Sequence, residues 1–351
     1  MSYIHKNGWY YRCRCENMSM RYVFLITLLC NVVSPAEGQV QLFSGISAQP
    51  LALNPAFTGM YNGSIRVNGT GRRLADNPIW PGAATGYFSL DARSRDMKNE
   101  DYWGVGVDIG YTDLWKTSLK NMNSSLSFAW HKRLATDGTM HTQYGCDIGV
   151  GVQVARYVHD FNSRPLYFAD NPFPPLSLGT GGQVAHNMFN AGVSFAHILS
   201  EKVNYVAGFS VTAINGTSDA VIEKAATDKG LFRSYNTTIG VNIKAMERLS
   251  IRPAAYVLVN KSLEMMAGSD VVWRMGRYNT STHVFAGLWY RSQNVLAVTG
   301  GIAKSKVRLS IAIDRGMSFS DGSYPIAGEL AFTYIGFGWP GKRRQVICNR
   351  F

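Results

Sequence analysis

Few residues of this 351-residue chain could do chemistry, and they are scattered. Four carboxylates, Asp108, Asp147, Asp314 and Glu329, stand at alternate positions of extended apolar runs, and Lys244 and Arg308 are placed in the same way. Paired carboxylates can serve as general acid and base. In a closed β-barrel the same residues form a hydrogen-bonded lining of the lumen, and that is the reading adopted for all six, with the acids meeting cations such as Lys244 and Arg308. The histidines at 131, 141, 159, 186, 197 and 283 lack metal-ligand spacing. His131, in Trp130-His131-Lys132-Arg133, is expected to be a solvated or headgroup-facing cation at a strand end. The chain has no Gly-x-Ser-x-Gly elbow, no His-Glu-x-x-His and no phosphate loop. Its five cysteines make neither a zinc signature nor a dense disulfide framework, and whether Cys146 and Cys348 pair is open. No catalytic residue, cofactor or metal is expected, and no enzyme.

The elements that position these side chains have a period of two. From Trp103 to Tyr111 every odd residue is large and apolar, and every even one is Gly or Asp. Cys146–Val154, Ile239–Lys244 and Val307–Asp314 follow the same rule, which is that of strands with one apolar and one polar face. Gly, Ser and Asn dominate the polar face, as suits a crowded barrel lumen. Aromatic rings bracket the apolar face at Trp103 and Tyr111, Tyr144 and Tyr157, and Trp289-Tyr290, as in the girdles of outer-membrane barrels. Charged residues make up 17% of the chain, against about 25% in an ordinary soluble domain. A mean hydropathy of −0.08, with no long apolar run in the body, excludes a bundle of membrane-spanning helices. Disorder is excluded by an aromatic content of 12%.

About fourteen strands are expected, the first at 64–70, the fifth at 140–156 and the sixth at 186–199. The even count suits a closed antiparallel transmembrane β-barrel, an all-β fold with no open edge. Alternate connections look short, and those between them include the long stretches 158–185 and 215–233.

The ends are read separately. Residues 1–38 form a leader in which Met20-Arg21, the apolar run Tyr22–Val33 and Ala36-Glu37-Gly38 make a signal peptide that starts at Met20 and is cleaved before Gln39. Residues 39–62 are expected in the lumen or against its periplasmic rim, 63–338 in the barrel, and 339–351 in a basic tail. The net charge of +12 is dispersed over strand ends and turns. It suits anionic outer-membrane lipid headgroups or acidic partner surfaces, and no nucleic-acid partner is expected.

Two ends of the chain carry a family likeness. Phe43-Ser44 is followed by Pro50-Leu51-Ala52-Leu53-Asn54-Pro55-Ala56-Phe57-Thr58-Gly59, and the chain ends Cys348-Asn349-Arg350-Phe351. With Tyr290-Arg291, Asp314 and Glu329-Leu330 between them, the chain resembles the PorP/SprF family of outer-membrane proteins of type IX secretion and gliding machinery. It departs from that pattern at Asn349, at Gly328, at Arg72-Arg73-Leu74 and over Ser310–Asp314, where only the aspartate is kept, and so looks like a divergent paralogue. The resemblance implies a non-enzymatic barrel that helps to export or attach proteins bearing a C-terminal sorting domain and that contacts periplasmic lipoproteins of the same machine. Two other readings stand beside it, a passive channel or porin and a soluble secreted β-sheet binding protein. For Asn54-Pro55 the choice lies between turn chemistry and partner binding.

Overall fold

The structure is a computed structural model that describes residues 43–45, 48–77, 80–94, 101–114, 119–136, 145–161, 182–215, 233–260, 263–276, 282–292, 294–316 and 326–336. The expected leader with its cleavage site, and the tail with Cys348, Arg350 and Phe351, lie outside these residues.

A one-turn helix α1 (Pro50–Leu53) and a 3-10 turn (Pro55–Phe57) precede fourteen strands. The first are β1 (Ile65–Asn77), β2 (Trp80–Arg93), β3 (Tyr102–Leu114), β4 (Leu119–Thr136) and β5 (Gly145–Phe161). Next come β6 (Gly182–Ile198), β7 (Val203–Thr212), β8 (Ser234–Lys244), β9 (Leu249–Val259) and β10 (Leu263–Met275). The last are β11 (Thr282–Arg291), β12 (Val295–Lys304), β13 (Val307–Gly316) and β14 (Ile326–Gly336). Each strand pairs with its sequence neighbours, and β1 closes antiparallel on β14 from Ile65↔Gly336 to Ala75↔Ile326. Closure leaves no unpaired edge, which backbone in hydrocarbon requires.

The alternation read in the sequence is the inside–outside alternation of the wall. In β3 Gly104, Gly106, Asp108 and Gly110 are buried, while Trp103, Val105, Val107, Ile109 and Tyr111 are exposed. Leu330 is 67% exposed, Leu126 61% and Leu288 60%. In water such a belt would be a large sticky surface, whereas lipid tails accept it. Eight residues separate Trp103 from Tyr111, about 26 Å along the strand and roughly 20 Å in height once the strand tilts, close to the apolar band of an outer-membrane barrel. The soluble reading is thereby set aside.

Both chain ends of the barrel lie at one mouth, where β1 starts and β14 ends. On that mouth β6–β7, β8–β9 and β12–β13 are joined by short turns, while β5–β6 and β7–β8 are joined by long connections on the other. Outer-membrane barrels carry their short turns on the periplasmic side.

Some boundaries differ from those expected. β1 runs to Asn77, past the expected end at 70, because its ladders with β2 and β14 continue where side-chain alternation fades. β5 begins at Gly145 and β6 at Gly182, so β4, β5 and β6 form a tall section of wall, 18, 17 and 17 residues long. Pro253 sits inside β9 without an N–H to give, and the β8–β9 ladder skips the facing residues Val241 and Asn242. The guanidinium of Arg252 spans that gap, donating from Nε to Asn242 Oδ1 at 3.2 Å.

The apolar core sits inside the barrel. Leu53, Phe57 and Met60 of the N-terminal segment pack with Val206, Tyr256, Leu258, Met266 and Trp289 of the wall.

Candidate functional site

The segment from Ala48 to Tyr61 fills the lumen, and its seat explains the motif that it carries. Pro50 opens α1, where its missing N–H costs nothing. Asn54 then breaks the helix in an extended conformation, with φ −159° and ψ 122°. Its Oδ1 accepts the N–H of Ala56 at 2.8 Å, which starts the 3-10 turn. Its Nδ2 donates to the carbonyls of Val193 at 3.0 Å and Phe209 at 3.3 Å, on β6 and β7. Asn54 is therefore a turn residue and an anchor at once.

At several of its closest approaches the segment lies over wall glycines. A Cβ on Gly208 would lie 2.6 Å from the ring of Phe57, and one on Gly151 would strike the backbone of Pro55 and Ala56. Gly59 adopts φ +77°, which favours glycine, and a Cβ on it would lie 2.9 Å from the Cα of Gly104. The glycines read as lumen lining are thus a fitted bed.

Past Phe57 the chain is locked by a buried charge. Asp91 receives Arg66 Nε at 2.9 Å and Nη2 at 2.8 Å, and it also accepts the N–H of Gly59 at 2.8 Å. Both charged side chains are fully buried. Arg66 Nη2 further donates to the carbonyl of Phe57 at 3.1 Å, so a single guanidinium holds both strand and segment. The Tyr61 hydroxyl donates to the Asp91 carbonyl at 2.7 Å, and burial pushes its phenol well above the ordinary value, which keeps it a donor.

His131 corrects an expectation. Instead of facing solvent or headgroups it is buried on the inner wall, with Nε2 2.9 Å from the carbonyl of Thr58 and its ring stacked on Tyr102 at 4.4 Å. The guanidinium of Arg93 covers the other face of this stack, 3.6 Å from the Tyr102 ring. Odd-numbered His131 and Arg133 share the inward parity of Ala129, a signal that the Trp-His-Lys-Arg run conceals.

A second anchor lies nearer the far mouth. The backbone N–H groups of Ser44 and Gly45 donate to Glu329 at 2.8 and 3.1 Å. Ser44 Oγ donates to Asp314 Oδ1 at 2.5 Å, and the other oxygen of Asp314 lies 2.7 Å from Arg72. Arg291 Nη2 reaches Ser44 Oγ at 3.5 Å. Arg291, Asp314 and Glu329, separate in sequence, thus converge on Ser44. The neighbouring Tyr290 points outward, with its hydroxyl donating to Asn294.

The other lumen charges find various partners. Asp147 makes a two-point pair with Arg133, at 2.6 and 2.9 Å. Asp108 accepts from Ser125 and, at 3.1 Å, from Gln153. Lys244 is exposed at the end of β8, and Arg308 lies 4.2 Å from the ring of Phe285. Cys146 is half-buried. Among the described residues no group of His, Cys, Asp and Glu is arranged to hold a metal ion. Beside the segment, a cavity of about 30 Å³ remains between Ser44, Arg252, Asp270, Trp289, Arg308 and Glu329, room for roughly two waters.

Sequence reading missed Arg66, Asp91, Arg72 and Arg133. All four are charged residues at inward strand positions, the same signal that marked Asp108 and Asp147.

Among solved structures the chain is similar to a Pseudomonas aeruginosa FadL homologue, at 11% identity over 81% of this chain and 94% of that one, with a TM-score of 0.43. It is also similar to the toluene transporter TodX of P. putida, at 10% identity over 83% of this chain and 95% of that one, with a TM-score of 0.44. These are likenesses of barrel fold. Comparison with curated proteins returned no match. The family model for the type IX secretion system membrane protein PorP/SprF matches residues 36–333, which takes in the lumen segment, both of its anchors and nearly the whole barrel. With its motif residues spent on seating that segment inside a closed outer-membrane barrel, the chain belongs to the PorP/SprF family of type IX secretion system membrane proteins.

Proposed function

We propose that this protein is a sealed, non-enzymatic barrel that assists secretion or surface attachment of proteins with C-terminal sorting domains, working by docking rather than by conduction. The observation that carries this reading is the occupied lumen. A barrel of fourteen strands lies between the small ones that side chains fill and the larger ones that hold water channels. Here the space is taken by Ala48–Tyr61, fixed at Asn54, Thr58, Gly59 and Tyr61. A barrel closed in this way offers its rims and outer wall as working surfaces. Periplasmic lipoproteins of the machine would meet the mouth that bears the chain ends, and outer-membrane lipids the apolar belt.

Crosslinking in intact membranes followed by capture of this protein tests the reading. Recovery of a sorting-domain protein or a machine lipoprotein supports it, as does loss of one surface protein on gene deletion. Empty captures together with steady conductance of the purified protein in planar bilayers would replace it with the porin reading.

A further inference from the structure

Among the described residues, the mouth that bears the chain ends is electrically lopsided. On its β8–β13 side, Lys244, Arg252, Arg274, His283 and Arg308 all stand at inward positions of their strands, and Arg248 lies in the β8–β9 turn. Arg274 faces His283 directly across β10 and β11. Its Nη2 donates to the carbonyl of Glu247 at 2.8 Å, which holds the guanidinium at the rim. Lys244 and Arg248 are exposed. Among the described residues, the carboxylates on this surface are those of Glu247 and of Asp270, which lies opposite Arg252 and accepts from Trp289 Nε1 at 3.0 Å.

Strand-end cations often do no more than reach lipid headgroups. On this rim Lys132 and Lys304, at outward positions, are placed for that role. Inward parity takes the others off the lipid face and turns them toward the mouth. We infer that this half-ring is a docking surface for an acidic segment of a periplasmic protein. Two features choose a polypeptide over a small anion. From β8 to β13 the cations cover five inter-strand steps, an arc of about 24 Å that a single carboxylate or phosphate cannot span. Beneath them the cavity beside Arg252 and Arg308 measures about 30 Å³, too small to take in a peptide. Summed like charges at such a rim also speed encounter with an acidic partner.

The surface rests on the barrel and its orientation, not on the identity of any cargo. The test uses the purified full-length protein in detergent and a fluorescein-labelled decaglutamate peptide, with decalysine as the opposite-charge control. Decaglutamate is expected to bind, to weaken as salt rises, and to weaken by roughly tenfold or more in K244E/R248E/R274E, where like charges now meet the probe. Heat-modifiable gel migration establishes that the variant is folded, and the exposed pair K244E/R248E serves if the triple variant is not. R156E, at the far end of β5, should leave binding unchanged. The inference falls if decaglutamate does not bind at low salt, if decalysine binds equally, or if R156E costs as much as the triple variant. Such a failure would leave the secretion reading standing, because capture from membranes tests that separately.

Discussion

Asp91 ties two strands and the lumen segment together. It joins β1 through Arg66, the lumen segment through the Gly59 N–H, and Tyr61 through its own carbonyl. Changing Asp91 to Asn keeps the shape but leaves the Arg66 guanidinium buried without its counter-charge, a loss of about 3–5 kcal/mol. D91N is therefore expected to lower the temperature at which the compact gel band converts to the unfolded one, and an unchanged transition would show that the pair is dispensable. Neither partner was singled out from the sequence, since a lone Arg in Ile65-Arg66-Val67-Asn68 reads as lining until its partner on β2 is known. Asp314 and Glu329 were legible as inward charges, but their common target, Ser44, was not, because 270 and 285 residues separate them from it.

As an element, the lumen segment depends on contacts with strands far away in the chain. Thr58 Oγ1 lies 3.0 Å from Ser127 Oγ on β4, with both residues buried. T58C/S127C is expected to form a disulfide on mild oxidation, seen as faster migration without reductant, and two persistently free thiols would place the segment elsewhere. Gly59→Ala joins an unfavourable φ to a collision with Gly104 and should lower the midpoint of the same thermal transition by the equivalent of about 1–3 kcal/mol. The Asn54-Pro55 turn was readable as turn chemistry. Its hold on β6 and β7 was not, because carbonyl acceptors carry no sequence signature.

For the molecule as a whole, the apolar belt decides where it can live. Val107 stands near the middle of β3 with 43% of its surface exposed, facing lipid between Trp103 and Tyr111. V107R is expected to cost about 2–4 kcal/mol if that position lies near mid-membrane, measured as reduced folding yield into vesicles. A yield equal to wild type would mean that this face meets water or protein. Strand number, closure and most of the lipid-facing set were legible because a period of two is imposed locally, residue by residue; Trp289 and Tyr157, expected among the girdle rings, stand instead at inward positions of β11 and β5. The height of the β4–β6 wall and the run of β1 to Asn77 were not, because backbone pairing continues where side chains cease to alternate.

The sequence by itself determined that these segments are strands, which aliphatic residues face lipid, and that charge and glycine turn inward, since each of these follows from neighbours one or two residues apart. Only the tertiary structure decided that the inward space is occupied by the chain's own motif, which carboxylate meets which guanidinium, and that the cations of β8, β9, β10 and β13 gather at one mouth. Those outcomes depend on strand order, register and closure, which bring together residues hundreds of positions apart and leave no trace in local spacing.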